Sequence, residues 1–324
     1  MQTVTMADVA RVAGVSRALV SLAYRDAYGV SPETRENILA VGRKLGYRPN
    51  RVAAQLAGKK QLTIGVFLQD LHNEIFADIY DGIREVTDQA GKHLVLTVGD
   101  TVGSKDVEGL ETLLENRVDI IIAAGLTLPD RLLKKYTSRV RLVSVSRLVT
   151  GADCVYSDNH LGATLATTHL IERGHRDIVF IANPPSDGYL DRRAGFEDAM
   201  HADSLPPRVV EGSYSRVEVE QIALQLLKSA DRPSAIFAHN DQAAMGVMDA
   251  MAELGLTPGV DLAVVGYDNS SLSKSPVSGL TTVDARGSEL GRLAADVALE
   301  RLENPDQADI VRQTEPTLVP RSSS

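Results

Sequence analysis

Cysteine and long apolar segments are both scarce in this chain of 324 residues. The single cysteine, Cys154, excludes an internal disulfide framework and suits a reducing compartment. The most apolar stretch, residues 120–128, is far too short to span a bilayer. Near the amino end, Asp8, Arg11 and Arg17 interrupt any apolar segment of the signal-peptide type. We therefore expect a cytoplasmic protein that has no membrane partner.

Recognisable catalytic and metal-binding motifs are also lacking. The sequence contains no G-x-x-x-x-G-K-[ST] phosphate loop, no G-x-G-x-x-G after a strand, no H-E-x-x-H and no G-x-S-x-G. The seven histidines show no metal-ligand spacing, and Cys154 has no partner in the sequence pattern. We expect a protein that is not an enzyme and that uses neither a metal nor a cofactor.

Charge is distributed unevenly along the chain. Residues 1–60 carry ten Lys or Arg against four Asp or Glu, a net charge of +6, whereas the remainder carries 24 against 39, a net charge of −15. A basic head on an acidic body is typical of a protein whose head alone binds a polyanion such as DNA. A solvated basic face would show the same charge, so the motifs of the head must decide.

Residues 5–24 have the pattern of two short helices around a tight turn. Thr5 and Ser16 are good caps for these two helices, and Gly14 permits the sharp turn between them. A third helix is predicted to follow the Ser31 cap, because a proline occupies its first position.

The second of these helices has two different faces. Helical periodicity places Leu19, Val20 and Ala23 together on the side that packs. The opposite face is small, basic and hydroxylated, and it carries Arg17, Ala18, Ser21, Leu22 and Arg25. Such a face suits entry into the major groove of DNA. We predict a small all-α helix-turn-helix domain over residues 1–48, although a generic three-helix bundle would show the same caps.

Three motifs of the head resemble the lac/gal repressor family of bacterial transcription regulators. They are TMADVARVAGVS at residues 5–16, VSPETR at 30–35 and LGYRPN at 45–50. The resemblance implies that a set of hydroxyl-bearing residues contacts DNA phosphates: Thr5, Ser16, Ser21, Ser31, Thr34 and Tyr47. It also implies that Arg17, Ala18 and Leu22 face base edges. Because Ala18 cannot donate two hydrogen bonds and Leu22 stands where many members have arginine, Arg17 is the candidate for a bidentate guanine contact.

Residues 50–58 (NRVAAQLAG) resemble the hinge of the same family. Pro49 forbids a smooth continuation of the third helix, so Asn50 can cap a short new one. A helix of this length is unstable alone in water, and we expect it to form only with DNA and a partner copy. Minor-groove contacts are predicted for Asn50, Val52, Ala53 and Leu56, with Leu56 as the apolar wedge between base steps. The alternative is an amphipathic linker with Leu56 on the core, and residues 49–61 are hinge and linker in either case.

From residue 62 onward, short apolar runs alternate with helix-length segments. The predicted strands are residues 64–68, 93–98, 120–124, 142–145, 178–181, 235–238 and 262–265. This alternation favours parallel sheets with helices on both faces, and the order fits two similar halves better than one large sheet. Residues 62–321 resemble the body of the repressor family, which is similar to periplasmic sugar-binding proteins. We expect an α/β core of two subdomains, one of residues 62–156 and 285–311 and the other of residues 157–284 and 312–324.

Ligands of open α/β sheets bind beyond the carboxyl ends of the strands, and two halves place that position in the cleft between them. The sequence RRAGF at residues 192–196 resembles a signature of the family, which makes Arg192 the expected effector ligand, with Arg193 as the alternative. An arginine flanked by Asn and Asp groups suits vicinal hydroxyls, and aromatic rings suit the face of a sugar. The candidate effector residues are Asp70, Phe76, Arg147, Arg192, Tyr214, Asn240 and Asp268. For any one of them, a structural role fits the sequence nearly as well.

Taken together, these features indicate a homodimeric, sequence-specific transcription regulator that acts as a repressor on palindromic DNA half-sites. Its effector is expected to be a sugar or sugar derivative. A regulator of the same family that responds to a nucleoside or purine is the alternative. A solute-binding protein without DNA function would need a signal peptide and no basic head. We expect a dimer because no leucine-heptad tail follows the core.

Overall fold

The computed structural model describes residues 4–25, 27–47, 62–183 and 189–324. The chain divides into two units, a head of Met1–Gln61 and a core of Leu62–Ser324. The predicted hinge, residues 49–61, lies outside the described residues. The same is true of its candidate DNA contacts, Asn50, Val52, Ala53 and Leu56.

The described residues of the head form three helices, α1 (Met6–Ala13), α2 (Arg17–Tyr24) and α3 (Pro32–Leu45). Helix α1 begins with a reciprocal capping box, in which Thr5 Oγ1 and the Asp8 side chain each bond the other's backbone. Helix α2 begins at Ser16, whose Oγ accepts a hydrogen bond from the Leu19 backbone nitrogen at 3.1 Å. Gly14 ends α1 in the left-handed conformation, with φ 68°. The predicted helix-turn-helix is confirmed.

A small apolar core holds the three helices together. Val9, Val20 and Ile38 are fully buried, and each comes from a different helix. On α2, Val20 and Ala23 are buried and Leu19 is half-buried, as helical periodicity predicted. The opposite face of α2 is therefore left for contacts outside the head.

The described part of the core contains two six-stranded sheets. The first sheet consists of β1 (Thr63–Leu68), β2 (His93–Val98), β3 (Ile120–Ala124), β4 (Arg141–Val145), β5 (Asp153–Ser157) and β11 (Val311–Thr314). The second sheet consists of β6 (Ile178–Ala182), β7 (Arg208–Glu211), β8 (Ala235–Ala238), β9 (Ala263–Tyr267), β10 (Thr281–Asp284) and β12 (Thr317–Val319).

The two sheets repeat the same strand order. The first has the order β11-β5-β4-β3-β1-β2 and the second the order β12-β10-β9-β8-β6-β7. All the described neighbours are parallel except β12, which runs antiparallel to β10. The expectation of two similar α/β halves is confirmed, and each strand of one half has a counterpart in the other.

Helices connect most of the strands. They are α4 (Glu74–Gln89), α5 (Asp106–Glu115), α6 (Asp130–Thr137), α7 (Asn159–Glu172), α8 (Tyr189–Ala202), α9 (Arg216–Lys228), α10 (Asp241–Glu253), α11 (Ser271–Lys274) and α12 (Gly287–Glu303). Helix α12 packs backbone-to-backbone on α4, because a Cβ on Gly291 would lie 2.0 Å from the Ile79 carbonyl oxygen. Gly287, at the start of α12, lies against Ile75 at the amino end of α4.

The chain passes between the two sheets three times, after β5, after β10 and after β11. Hydrogen bonds join these crossing segments to one another. The Asp158 backbone nitrogen donates to the Thr314 carbonyl at 3.0 Å, and Arg286 Nε donates to the Glu315 carbonyl at 2.7 Å. Hydrogen bonds between adjacent crossings couple the two halves where the chain changes sheet.

The seven predicted strands correspond to β1, β2, β3, β4, β6, β8 and β9, and the prediction omits β5, β7, β10, β11 and β12. The sheet-edge members β7, β11 and β12 show little burial and lack an apolar run, whereas β5 and β10 are largely buried but contain polar residues that interrupt the apolar pattern. One subdomain boundary is wrong for this reason. Residues 312–314 were placed in the second half, but β11 pairs with β5 of the first sheet through Thr314, opposite Ser157.

Candidate effector cleft and DNA-binding face

The exposed face of α2 carries the predicted base-reading residues. Arg17 and Ala18 are exposed, and Ser21 and Leu22 are half-buried. The Arg25 side chain lies along the helix, because its Nε donates to the Ser21 carbonyl at 3.0 Å. Arg17 is thus the exposed cation at the amino end of α2, where a side chain that enters a groove would stand.

The predicted phosphate contacts fall into two groups. Thr5, Ser16 and Ser31 cap their helices with side-chain oxygens, and all three are exposed. Ser31 Oγ also donates to Thr34 Oγ1 at 2.8 Å. Tyr47 differs, because only 9% of it is exposed and its ring packs edge-on against Tyr24 with centroids 5.3 Å apart. The ring of Tyr47 belongs to the head core, and a phosphate contact by this residue stays a prediction.

In the core, a cleft opens between the carboxyl ends of the two sets of strands. Its volume, with the open mouth included, is about 650 Å³. The lining residues described are Gln69, Asn73, Ile75, Phe76, Gly125, Ser146, Ser157, Asn159, Asn183, Arg192, Tyr214, His239, Asn240, Asp268, Ala285 and Leu290. Clefts of this size that combine polar and apolar side chains are typical of small-molecule sites.

Arg192 is the central cation of this cleft. Its Nε donates to Asn159 Oδ1 at 2.8 Å, and its Nη1 donates to the His239 carbonyl at 2.5 Å. The guanidinium carbon lies 3.7 Å from the centre of the Tyr267 ring, a cation–π contact. These contacts fix the planar group in one orientation, so it can present a preformed set of donors to a ligand.

Gly195 explains why an arginine and a glycine are spaced by three residues in the RRAGF motif. A Cβ on Gly195 would lie 2.2 Å from the His160 carbonyl oxygen, so only glycine lets α8 pack closely on α7. One turn earlier on α8, Arg192 then comes within hydrogen-bonding distance of Asn159 at the start of α7. The motif encodes a helix contact that positions the arginine.

Asp268 supplies a buried carboxyl group and is only 4% exposed. Burial raises its pKa well above the ordinary value, Arg192 opposes that rise, and the nearby Asp241 and Asp78 add to it. Its backbone is strained as well, with φ 112°, and Ser146 at the equivalent place after β4 has φ 80°. Left-handed non-glycine residues cost about 1–3 kcal/mol each and cluster at functional sites.

His239 is a buried histidine that the sequence did not single out as a site residue. It is 1% exposed, and burial lowers its pKa to about 3, with the charge of Arg192 acting in the same direction. Its ring meets Tyr214 edge-on, with centroids 5.6 Å apart. The imidazole is therefore neutral throughout the physiological pH range.

Five of the seven predicted effector residues line the cleft: Phe76, Arg192, Tyr214, Asn240 and Asp268. Asn240 is 3% exposed, and its side-chain oxygen caps α10 by accepting from the Ala243 backbone nitrogen at 2.7 Å. The single side-chain oxygen of Asn240 is thus already engaged within the protein. The remaining capacity of the Asn240 amide is what a ligand could use.

Asp70 and Arg147 are not among the described lining residues. The Asp70 carboxylate turns back on its own loop, where it accepts from the backbone and the ring nitrogen Nδ1 of His72, each at 2.9 Å. Arg147 Nη1 donates to the carbonyls of Leu126 and Leu128, both at 3.0 Å, and its Nη2 pairs with Asp130. Both residues stabilise loops that follow strands of the first sheet, so the structure does not bring them into the described lining, and an effector contact by either stays a prediction.

Several lining residues were missed, although one rule would have found most of them. Seven of them follow or end a strand: Gln69 after β1, Gly125 after β3, Ser146 after β4, Ser157 in β5, Asn183 after β6, His239 after β8 and Ala285 after β10. The rule is that ligands bind at the carboxyl ends of parallel strands. It could not be applied to β5 and β10, because neither strand was predicted.

The described residues hold no group of three or more His, Cys, Asp or Glu side chains that could bind a metal ion. Cys154 is buried, and burial raises the pKa of its thiol, which leaves it unreactive. Within the same described ranges, no helix is both long and apolar enough to cross a membrane.

Comparisons with known proteins agree with this architecture. Residues 5–50 match the family described as bacterial regulatory proteins, lacI family. Residues 167–324 match the periplasmic binding protein-like domain. The lactose operon repressor of Escherichia coli (strain K12) is 33% identical over 307 residues, which are 93% of this chain and 85% of that protein.

Similar solved structures include two that cover almost the whole chain. The lac repressor dimer bound to operator and the anti-inducer ONPF has a TM-score of 0.86 at 31% identity, covering 99% of both chains. The complex of the transcriptional regulator CelR with cellobiose has a TM-score of 0.74 at 26% identity, covering 99% of this chain and 100% of that one.

The head, the two-sheet core and the polar cleft define a DNA-binding transcription regulator with an effector-binding core. The chain belongs to the lacI family of bacterial regulatory proteins. Proteins of this family regulate transcription and are not enzymes, in agreement with the absence of catalytic motifs from the sequence.

Proposed function

We propose that this regulator is a repressor that binds a palindromic operator as a homodimer, and that a sugar or sugar derivative in the cleft controls its affinity for DNA. The observation that most directly supports this proposal is the orientation of Arg192. Asn159 and the His239 carbonyl hold its guanidinium beside the buried Asp268. A fixed guanidinium next to a carboxyl group provides donors and acceptors for neighbouring hydroxyls.

The rest of the lining supports a sugar. Amide and hydroxyl side chains surround the arginine, and Phe76 and Tyr214 offer aromatic faces to the apolar face of a pyranose or furanose ring. Arg192 and Asp268 are the only Arg, Lys, Asp or Glu side chains among the described lining residues. The cellobiose complex of the similar regulator CelR shows that this fold accommodates a disaccharide.

Control of DNA binding follows from the position of the cleft between two sheets. A ligand that bonds Gln69 or Ser157 of the first sheet and Arg192 or His239 of the second favours one relative arrangement of the halves. If the arrangement that holds the effector differs from the one that holds the operator, the two ligands oppose each other. Such coupling is typically about 1–3 kcal/mol.

In the head, the proposed base contact is Arg17, supported by its exposure at the start of α2. Thr5, Ser16, Ser31 and Thr34 are the proposed phosphate contacts, which position the helix without reading sequence. The hinge contacts at residues 50–56 are proposed on the motif alone. Homodimerisation is supported by the similarity to the operator-bound lac repressor dimer.

A pair of adjacent arginines tests the assignment of the effector site. Arg192→Ala removes the cleft cation, whereas Arg193→Ala removes a half-exposed arginine that pairs with Glu197 at 2.7 Å on the same helix. DNA from the protein's own promoter region is used in fluorescence anisotropy, with and without sugars. We expect Arg192→Ala to retain DNA binding and to lose the sugar response, and Arg193→Ala to retain both. A folded Arg192→Ala protein that fails to bind DNA, or that responds like the wild type, contradicts the assignment.

The sugar class is tested by a thermal-shift screen, because a ligand of the folded core raises its melting temperature by mass action. The screen compares neutral mono- and disaccharides with nucleosides and purine bases on the full chain. Stabilisation by at least one sugar, abolished in Arg192→Ala, is expected. Stabilisation by nucleosides or purines alone would replace the sugar with that class.

A further inference from the structure

Three residues that line the cleft each have a buried polar side-chain atom without a hydrogen-bond partner among the described residues. These atoms are Gln69 Nε2, Ser157 Oγ and His239 Nε2. The first two belong to the ends of β1 and β5 in the first sheet, and the third follows β8 in the second. A buried polar atom left unsatisfied is unfavourable, so this set indicates positions that a polar ligand completes.

The tautomer of His239 follows from its surroundings. Its Nδ1 lies 3.3 Å from the Ile181 carbonyl oxygen, which can only accept a hydrogen bond. The proton of the neutral ring is therefore on Nδ1, and Nε2 carries a lone pair. His239 thus offers the cleft an acceptor and no donor at Nε2.

The charges around the ring keep it in this form. Arg192 approaches through its bond to the His239 carbonyl, and burial together with this cation lowers the pKa of the imidazole to about 3. The ring consequently does not become a cation that could pair with a phosphate. At the end of the neighbouring strand β9, the buried Asp268 has the carboxyl groups of Asp241 and Asp78 as neighbours, and this excess of carboxyl groups over Arg192 disfavours an anionic ligand.

Resting on the proposed sugar-responsive function, we propose that His239 is a specificity-determining residue whose Nε2 accepts a hydrogen bond from an effector hydroxyl. This acceptor selects neutral, hydroxyl-bearing sugars and disfavours their phosphorylated counterparts. Gln69 Nε2 is a donor and Ser157 Oγ is both donor and acceptor. The three atoms together match hydroxyl groups, which donate and accept, and they engage the ligand from both halves.

Two variants separate the acceptor from the rest of the ring. In His239→Asn, the amide nitrogen takes the place of Nδ1 and keeps the bond to the Ile181 carbonyl, but nothing occupies the position of Nε2. In His239→Gln, the longer side chain returns a carbonyl oxygen to the Nε2 position and gives up the bond to Ile181. Neither variant alters the DNA-binding head, and circular dichroism checks that both fold.

The probes are glucose, galactose, ribose and cellobiose, with glucose 6-phosphate and ribose 5-phosphate as the anionic counterparts. Binding to the full chain is measured by calorimetry for any probe that stabilises the wild type. We expect His239→Asn to lose about tenfold in affinity for that sugar and His239→Gln to lose much less, because one neutral hydrogen bond is removed and then restored. The phosphorylated sugar is expected to bind the wild type more weakly than its neutral parent.

The inference is overturned if both variants bind the sugar with wild-type affinity. It is also overturned if both lose the same amount of affinity, because the loss would then not come from the missing acceptor. Tighter binding of a phosphorylated sugar than of its parent also overturns it. These results leave the sugar-responsive function intact. If none of the neutral sugars stabilises the wild type, the proposed function fails for this set and the inference fails with it.

Discussion

Replacing His239 by Asn should change how the stability of this protein depends on pH. In the folded wild type the ring stays neutral down to about pH 3. In the unfolded chain the same ring is protonated below its ordinary pKa of about 6.5. A pKa that is depressed in the folded state contributes stability above pH 6.5, and this contribution is lost as the pH falls towards 3. The asparagine in the variant does not titrate.

The magnitude follows from the two pKa values. Below about pH 6.5, each pH unit lowers the free energy of unfolding of the wild type by about 1.4 kcal/mol relative to His239→Asn. Between pH 7.5 and pH 5.0 the wild type should lose about 2 kcal/mol relative to the variant. Because His239 is 1% exposed, solvent screens this effect little. Asp241 titrates in the same window, but it is present in both proteins and cancels in the difference.

The assay is urea unfolding followed by far-UV circular dichroism, since the chain contains no tryptophan. Both proteins are measured at several pH values, and the difference in free energy of unfolding is referred to its value at pH 7.5. A difference that does not change between pH 7.5 and pH 5.0 would show that the folded ring titrates normally. A change of opposite sign would show that the ring is protonated and paired in the folded state, and either result refutes the argument for a neutral acceptor.

Three further changes have expected outcomes. Asp241→Asn should show the opposite sign: burial raises the Asp241 pKa to about 6, so the wild type should lose about 2 kcal/mol relative to the variant as pH rises from 4 to 6 in the same assay. Arg301 Nη2 lies 2.6 Å from the buried Asp153 carboxylate, so Arg301→Met removes the cation that pairs with it and should lower the unfolding free energy by about 3–5 kcal/mol. As a control, Arg312→Met at the surface should change the unfolding free energy by less than about 1 kcal/mol. Gly195→Ala, which brings a Cβ to 2.2 Å from the His160 carbonyl, should cost about 1–3 kcal/mol and weaken sugar binding in calorimetry by displacing Arg192.

Much of the fold was predictable from local signals. Capping residues such as Thr5 and Ser16, the turn at Gly14 and the periodicity of α2 act over a few residues, so the head could be predicted element by element. The central strands could be predicted because their runs are continuously apolar, as in β3. Edge strands such as β11 lack that signal, since pairing with a distant strand, and not composition, makes them strands.

The candidate site was predictable where a residue type and a spacing coincide. Arg192 was found through the RRAGF motif, and the close approach at Gly195 supplies its physical reason. Arg147 was misplaced because nothing local distinguishes an arginine that binds loop carbonyls from one that faces a ligand. His239 was missed although it directly follows the predicted strand β8, where ligands of parallel sheets bind, but its burial and neutral ring depend on neighbours that only the fold brings together.

By itself, the sequence determined that this chain has a basic, three-helix DNA-binding head and an α/β core of two similar halves. Those conclusions rest on charge, caps and apolar periodicity, which are properties of neighbouring residues, and, for DNA binding, on the resemblance of the head motifs to the lac/gal repressor family. Only the tertiary structure decided which sheet each strand joins, which polar atoms remain unsatisfied in the cleft and which nitrogen of His239 carries the proton. These depend on contacts such as that between His239 and Ile181, 58 residues apart in the chain, and such contacts exist only once the chain has folded.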